Sequence, residues 1–74
     1  MDYVDMGKRV RKQRQLIGLT QQELAERIGV STSFVGHVER GTRKASLETL
    51  VALSNALGVG VDYLLAGMIF LYRQ

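Results

Sequence analysis

The stretch from Leu19 to Gly41 reads L-T-Q-Q-E-L-A-E-R-I-G-V-S-T-S-F-V-G-H-V-E-R-G, and it contains closely spaced signals for helix starts and helix ends. Thr20 and Glu23 have the spacing of a capping box, in which each side chain bonds the backbone amide of the other residue at the start of a helix. Gly29 is a typical helix end, and Ser31 is a favourable N-cap for the helix that follows. The stretch therefore predicts two short helices joined by a tight turn.

The turn between these helices consists of Gly29, Val30 and Ser31, which is too short for an antiparallel hairpin. It is typical of the helix-turn-helix motif, whose second helix enters the major groove of DNA. On that second helix, Val35 and Val38 are expected to face the core. The opposite face is polar and ends in a base, with Thr32 at its leading edge, and its members follow helical spacing: Ser33, Gly36, His37 and Arg40.

Gly36 interrupts this second helix. Glycine inside a helix costs about 0.5–1 kcal/mol relative to alanine. Two interpretations stay open: the residue provides clearance for a close approach to DNA, or glycine is simply tolerated at a groove-facing position.

Three more helices are predicted around this pair. The first is expected to be capped by Asp5 and to end at Gly18, and the fourth is expected to start at Ser46. The fifth begins near Gly60 or Val61. The expected core positions recur at helical spacing: Met6, Val10 and Ile17 in the first helix, and Leu47, Leu50, Leu53 and Leu57 in the fourth. Five short helices with short connections predict a compact all-α domain.

Composition narrows the class of protein. The chain has 74 residues, 46% of them hydrophobic, and no cysteine. One small soluble cytoplasmic domain is expected, because the longest apolar run is far shorter than the roughly 18 residues of a membrane span. With a single histidine and no clustered carboxylates, the sequence predicts no enzyme active site, no metal site and no cofactor.

Positive charge is concentrated in two segments. The formal net charge is +3. A polyanionic partner on one side of the molecule and a solvated basic surface both explain this distribution. The first cluster contains Lys8, Arg9, Arg11, Lys12 and Arg14, and the second contains Arg40, Arg43 and Lys44.

The stretch quoted above, followed by S-L-E-T-L-V-A-L-S-N-A-L-G-V-G-V-D-Y-L-L, resembles the phage repressor and Cro-like helix-turn-helix family, also called the xenobiotic-response-element family. The resemblance runs from near Met6 to about Gly67. It implies a five-helix, lambda-repressor-like DNA-binding domain over residues 1–67, followed by an apolar tail over residues 68–74. It further implies a transcriptional repressor that binds operator half-sites in double-stranded DNA as a homodimer. A small-molecule ligand is not implied.

The resemblance also implies roles for individual residues. Thr32, Ser33 and His37 match the positions that read base edges. Gln21 matches a glutamine that anchors to a DNA phosphate, whereas Arg14 and Glu39 match an ion pair that ties the first helix to the third. Further contacts with the DNA backbone are expected from Phe34, Arg40, Arg43, Lys44 and Arg11.

Several alternatives remain open at this point. His37 is either a groove contact or an exposed histidine, and Phe34 either contacts the sugar-phosphate backbone or packs into the core. The apolar tail either folds back onto the domain or pairs with a second chain. A helix-turn-helix module that docks onto an acidic protein is the alternative function. The residues expected at a dimer interface are Val61, Leu65, Met68, Ile69 and Phe70.

Overall fold

Five helices follow one another in the computed structural model, which describes residues 2–66. Within that range the structure contains no strand, and the predicted all-α fold is confirmed. The helices are α1 (Tyr3–Leu16), α2 (Gln21–Ile28), α3 (Thr32–Arg40), α4 (Leu47–Leu57) and α5 (Val61–Leu64).

Side-chain caps set the starts of the middle helices. Thr20 Oγ1 accepts a hydrogen bond from the amide of Glu23 at 3.0 Å, and Glu23 Oε1 accepts one from the amide of Thr20 at 2.9 Å. This is the predicted capping box. Ser31 and Ser46 cap α3 and α4, also as predicted. The same three helices end at glycines with left-handed backbone angles, namely Gly29, Gly41 and Gly58.

The start of α1 differs from the prediction. Asp2, and not Asp5, is the N-cap, and its Oδ1 accepts from the amide of Asp5 at 2.9 Å. Asp5 lies in the first helical turn, where Arg9 Nε is 3.1 Å from its Oδ2. Two acidic residues spaced by three can each begin a helix, and the basic residue four positions after Asp5 favours the earlier start.

The core lies where α3 packs against α1 and α2, and where α4 closes the other side. Two of the predicted core positions are wrong, because Ile17 is 44% exposed and Leu47 is 70% exposed. Ile17 follows the last residue of α1, and Leu47 is the first residue of α4, so neither lies where the helix packs. The buried apolar side chains are Met6, Val10, Leu19, Leu24, Ala25, Val35, Val38, Leu50, Leu53, Leu57 and Leu64.

The backbones of α1 and α3 approach each other at Gly7. A Cβ atom at this position would overlap the carbonyl oxygens of Val38 and Glu39 in the last turn of α3. This contact fixes α3 against α1 and leaves the opposite face of α3 uncovered. None of the helices in residues 2–66 is both long enough and apolar enough to cross a bilayer.

Candidate nucleic-acid interface

The outward face of α3 is polar. Val35 and Val38 are 2% and 1% exposed on its inner side. Thr32 and Ser33 are exposed on the outer side, and His37 is half-buried there. The fold therefore brings the three predicted base-reading residues onto one accessible surface.

Gly36 lies on this face but is covered by Arg40. A Cβ atom at Gly36 would be 3.0 Å from Arg40 Nη1 and 3.7 Å from Arg40 Cζ. The guanidinium of Arg40 thus extends back along α3 toward the middle of the polar face. The sequence places Arg40 at the end of the helix, and the structure brings its charge one turn closer to Ser33 and His37.

Glu39 is the buried centre of a polar network. Its side chain is 3% exposed, and its Oε2 lies 2.6 Å from Arg14 Nε, with a second contact of 3.1 Å from Arg14 Nη2 to Oε1. Arg14 Nη1 also donates to the carbonyl of Leu19 at 2.8 Å. Charge-assisted bidentate bonds of this kind hold both partners in one geometry. The structure thus contains the ion pair between α1 and α3 that the resemblance implies.

Gln21 joins the same network. Its Nε2 donates to Glu39 Oε1 at 3.1 Å, a contact that sequence reasoning missed. An amide nitrogen carries two protons, so one remains for a ligand. The backbone amides of Gln21 and Gln22 belong to the first turn of α2, where N–H groups have no partner within the helix. A helix start with these free donors favours an anion.

A cleft of about 630 Å³ opens beside this helix start. Three arginines and one glutamate line it, and Glu39 is neutralised by Arg14. Arg11 and Arg40, which have no carboxylate partner within residues 2–66, supply the remaining positive charge. The cleft therefore suits a phosphate group next to the polar face of α3. Its lining residues are Arg11, Arg14, Thr20, Gln21, Gln22, Glu39 and Arg40.

The two basic residues after α3 lie in the exposed connection to α4. Arg43 and Lys44 are both exposed. The Nζ atom of Lys44 lies 5.9 Å from the centre of the Tyr3 ring, within the range of a cation–π contact. Lys44 is thereby directed toward the start of α1. Arg43 is the basic residue of this connection that adds to the positive charge at the end of α3.

Phe34 packs partly against the hydrophobic core and is half-buried. This position supports the core alternative for Phe34, with part of the ring still exposed beside the polar face. Val61 and Leu65, expected at a dimer interface, are also half-buried, and Leu65 contacts the core cluster. Met68, Ile69 and Phe70 lie outside the described residues.

Two further contacts were missed because they join residues with no helical spacing. Nδ1 of His37 lies 2.9 Å from Oγ1 of Thr42, the second residue after α3. The sequence does contain one signal for it: the residue after a helix-ending glycine commonly folds back toward the last helical turn. Gln13 Nε2 donates to Tyr63 Oη at 3.2 Å and fastens α5 to α1, for which no local signal exists.

Comparison with known proteins agrees with this geometry. The family model described as "Helix-turn-helix" matches residues 10–64. The chain is 39% identical over 62 residues to the HTH-type transcriptional regulator ImmR of Bacillus subtilis, an alignment that covers 84% of this chain and 49% of ImmR. The chain thus spans about half the length of that relative.

Solved structures show the same fold. The restriction-modification controller protein C.AhdI from Aeromonas hydrophila has a TM-score of 0.81 and 41% identity, over 85% of this chain and 96% of that one. The P22 c2 repressor, solved with a synthetic operator, has a TM-score of 0.80 and 39% identity, over 84% of this chain and 94% of that one. Together with the match over residues 10–64, these likenesses show that the chain belongs to the helix-turn-helix family.

Proposed function

We propose that the chain is a sequence-specific DNA-binding transcriptional regulator, a repressor, that inserts α3 into the major groove of operator half-sites as a homodimer in the cytoplasm. The observation that carries the proposal is the uncovered polar face of α3, which lies beside a helix start and a positively charged cleft. In this proposal residues 1–67 are the DNA-binding domain and residues 68–74 are an accessory tail.

Base reading is assigned to Thr32, Ser33 and His37. Hydroxyl groups donate or accept, the threonine methyl group suits a thymine methyl group, and an imidazole bonds one groove atom. None of the three makes the bidentate contact that arginine makes with guanine. Arg40 has the guanidinium group that such a bidentate contact requires. This group lies over Gly36, near the centre of the face.

Backbone contacts are assigned to the groups that surround this face. Gln21 and the first amides of α2 suit one phosphate, and Arg11 flanks it across the cleft. Arg43 and Lys44 suit phosphates beyond the C-terminal end of α3. Phe34 contributes at most apolar contact with a sugar, because its ring has no hydrogen-bonding group and packs partly against the core.

The relatives support this assignment. ImmR is named a transcriptional regulator, and the P22 c2 repressor was solved in complex with an operator. Two-fold dimers of helix-turn-helix proteins bind half-sites one helical turn apart. In this proposal the dimer forms through α5 and the tail, with Val61 and Leu65 as its described members.

Selection from a random duplex library tests the proposal. We expect the chain to recover a two-fold symmetric motif with half-site centres about 10 base pairs apart. Recovery of an asymmetric motif would contradict the homodimer. Recovery of no motif, with binding of duplexes that depends on salt alone, would favour the alternative in which the basic surface docks onto an acidic protein.

A further inference from the structure

The imidazole of His37 is held by the side chain of Thr42. Nδ1 lies 2.9 Å from the threonine Oγ1. The same Oγ1 lies 3.2 Å from the carbonyl oxygen of His37 itself, to which it is a hydrogen-bond donor. The amide of Thr42 also donates to that carbonyl, at 3.0 Å. Thr42 is therefore fixed by its backbone beside the ring.

Only one distribution of protons satisfies both contacts of the hydroxyl group. A threonine hydroxyl has one proton, and a carbonyl oxygen can only accept. When the hydroxyl donates to the carbonyl of His37, Nδ1 must donate to the hydroxyl. The opposite assignment, with the hydroxyl donating to Nδ1, would set two oxygen lone pairs against each other. The neutral ring therefore carries its proton on Nδ1, and Nε2 is a bare acceptor.

Nε2 is also accessible. Among the described residues, every fully buried side-chain nitrogen or oxygen atom has a hydrogen-bond partner. The hydrogen bond that the ring makes within this part of the chain runs through Nδ1, so Nε2 is not fully buried. It lies on the face that also carries Ser33, one helical turn earlier.

We propose that Thr42 is a specificity-determining residue: by holding His37 in the Nδ1–H tautomer, it makes Nε2 an acceptor that selects a base with an exocyclic amino group in the major groove. Adenine offers N6 and cytosine offers N4 as donors, whereas guanine presents the acceptors N7 and O6, and thymine presents O4 and a methyl group. Guanine and thymine would therefore be disfavoured at the base that faces His37. This inference rests on the proposed insertion of α3 into the groove.

The tautomer can be measured directly in the free protein. The chain has one histidine, so the imidazole nitrogen signals of the 15N-labelled full chain all arise from His37. We expect the neutral ring to give the signal pattern of the Nδ1–H form. Thr42→Val keeps the shape of the side chain but removes the hydroxyl, and we expect it to shift the population toward Nε2–H.

Thr49→Val is the matched control, because it removes a threonine hydroxyl from α4 and should leave the imidazole signals unchanged. A wild-type protein in the Nε2–H form would overturn the inference. So would a Thr42→Val variant with an unchanged tautomer.

Duplex selection tests the consequence for DNA. At the motif position whose preference is lost in His37→Ala, we expect wild type to favour adenine or cytosine over guanine by roughly two- to tenfold, the worth of one neutral hydrogen bond. Thr42→Val should reduce that preference. If adenine is selected, that adenine can be replaced by unsubstituted purine, a base analogue that lacks the 6-amino group. Wild type should bind the altered site more weakly. A preference for guanine or thymine would overturn the inference.

The two measurements separate this inference from the proposed function. A protein in the Nδ1–H form that recovers no motif overturns base reading altogether, and the intact tautomer then locates the failure in groove insertion. A protein that recovers a motif with the Nε2–H form retains the proposed function and overturns only the role of Thr42.

Discussion

Glu39 is an acidic residue on the helix that we propose to enter DNA, and its surroundings explain why it does not repel phosphates. Both of its oxygens face Arg14, and Oε1 also accepts from Gln21. The side chain is 3% exposed, so its charge is satisfied within the protein. The network joins α1, α2 and α3 and orients Gln21 at the cleft.

We expect Glu39→Ala to lower the free energy of unfolding by about 3–5 kcal/mol, because it leaves the Arg14 guanidinium buried without its partner. Chemical denaturation followed by circular dichroism measures this loss. Glu26→Ala, at an exposed position of α2, is the control and should stay within about 0.5 kcal/mol of wild type. If Glu39→Ala does not fold, Arg14→Met/Glu39→Leu should regain most of the stability, since no charge remains unpaired. A loss in Glu39→Ala no larger than that in the control would contradict a structural role for the pair.

The crossing of α1 and α3 requires a residue without a side chain at Gly7. We expect Gly7→Ala to lower the free energy of unfolding by roughly 1–3 kcal/mol, because the methyl group must push against two backbone carbonyls of α3. Gly36→Ala is the matched control within a helix. The three atoms nearest to its methyl group would all belong to the movable end of Arg40, so the gain in helix propensity of about 0.5–1 kcal/mol should prevail. Thermal unfolding of both variants checks the opposite signs, and a Gly7→Ala protein as stable as wild type would contradict the close contact.

The capping box of α2 makes a prediction about pH. The amide of Thr20 donates a hydrogen bond to the Glu23 carboxylate, and this bond lowers the pKa of Glu23 below its usual value of 4.5. A smaller lowering of the same pKa comes from the Thr20 hydroxyl. A group whose pKa is lowered on folding stabilises the protein above its unfolded value, and this stabilisation is lost as the pH falls through the folded value. We therefore expect wild type to melt above Glu23→Gln at neutral pH, with the difference disappearing as the pH falls below 4.5. A difference that persists unchanged in acid would contradict the charged cap.

Local rules predicted α2 and α3 well because their signals are local. The capping box, Ser31 and the terminal glycines act within four residues, and the structure contains each of them. The predicted start of α1 was wrong because Asp2 and Asp5 are both favourable N-cap residues. The links of Gln21 to Glu39 and of Gln13 to Tyr63 join residues 18 and 50 positions apart. Such contacts follow from the packing of helices, and no spacing along the chain indicates them.

Across the described residues as a whole, the arginines fall on more than one surface. Arg11 and Arg40 flank the cleft and Arg43 follows α3, whereas Arg27 lines a separate depression with residues of α4. The arrangement separates the arginines that should contact phosphates from Arg27, which should not. Net charge alone would not make this distinction.

We expect Arg43→Gln to reduce the slope of log affinity against log salt by about 0.9 for each protomer bound, since one phosphate contact is lost per copy. Arg27→Gln removes the same charge from the other surface and should leave the slope nearly unchanged. Fluorescence anisotropy with a labelled duplex over a range of salt concentrations measures both slopes. Equal reductions would mean that binding follows net charge and not the proposed surface.

A comparison of affinities at one salt concentration tests whether the outer face of α3 reads DNA bases. The dissociation constants of wild type and of Thr32→Ala/Ser33→Ala/His37→Ala are measured for the selected duplex and for a scrambled one. We predict that the triple variant binds the scrambled duplex within about twofold of wild type, because its phosphate contacts remain. Its preference for the selected duplex should fall at least about tenfold. A triple variant that keeps the full preference of wild type would contradict the claim.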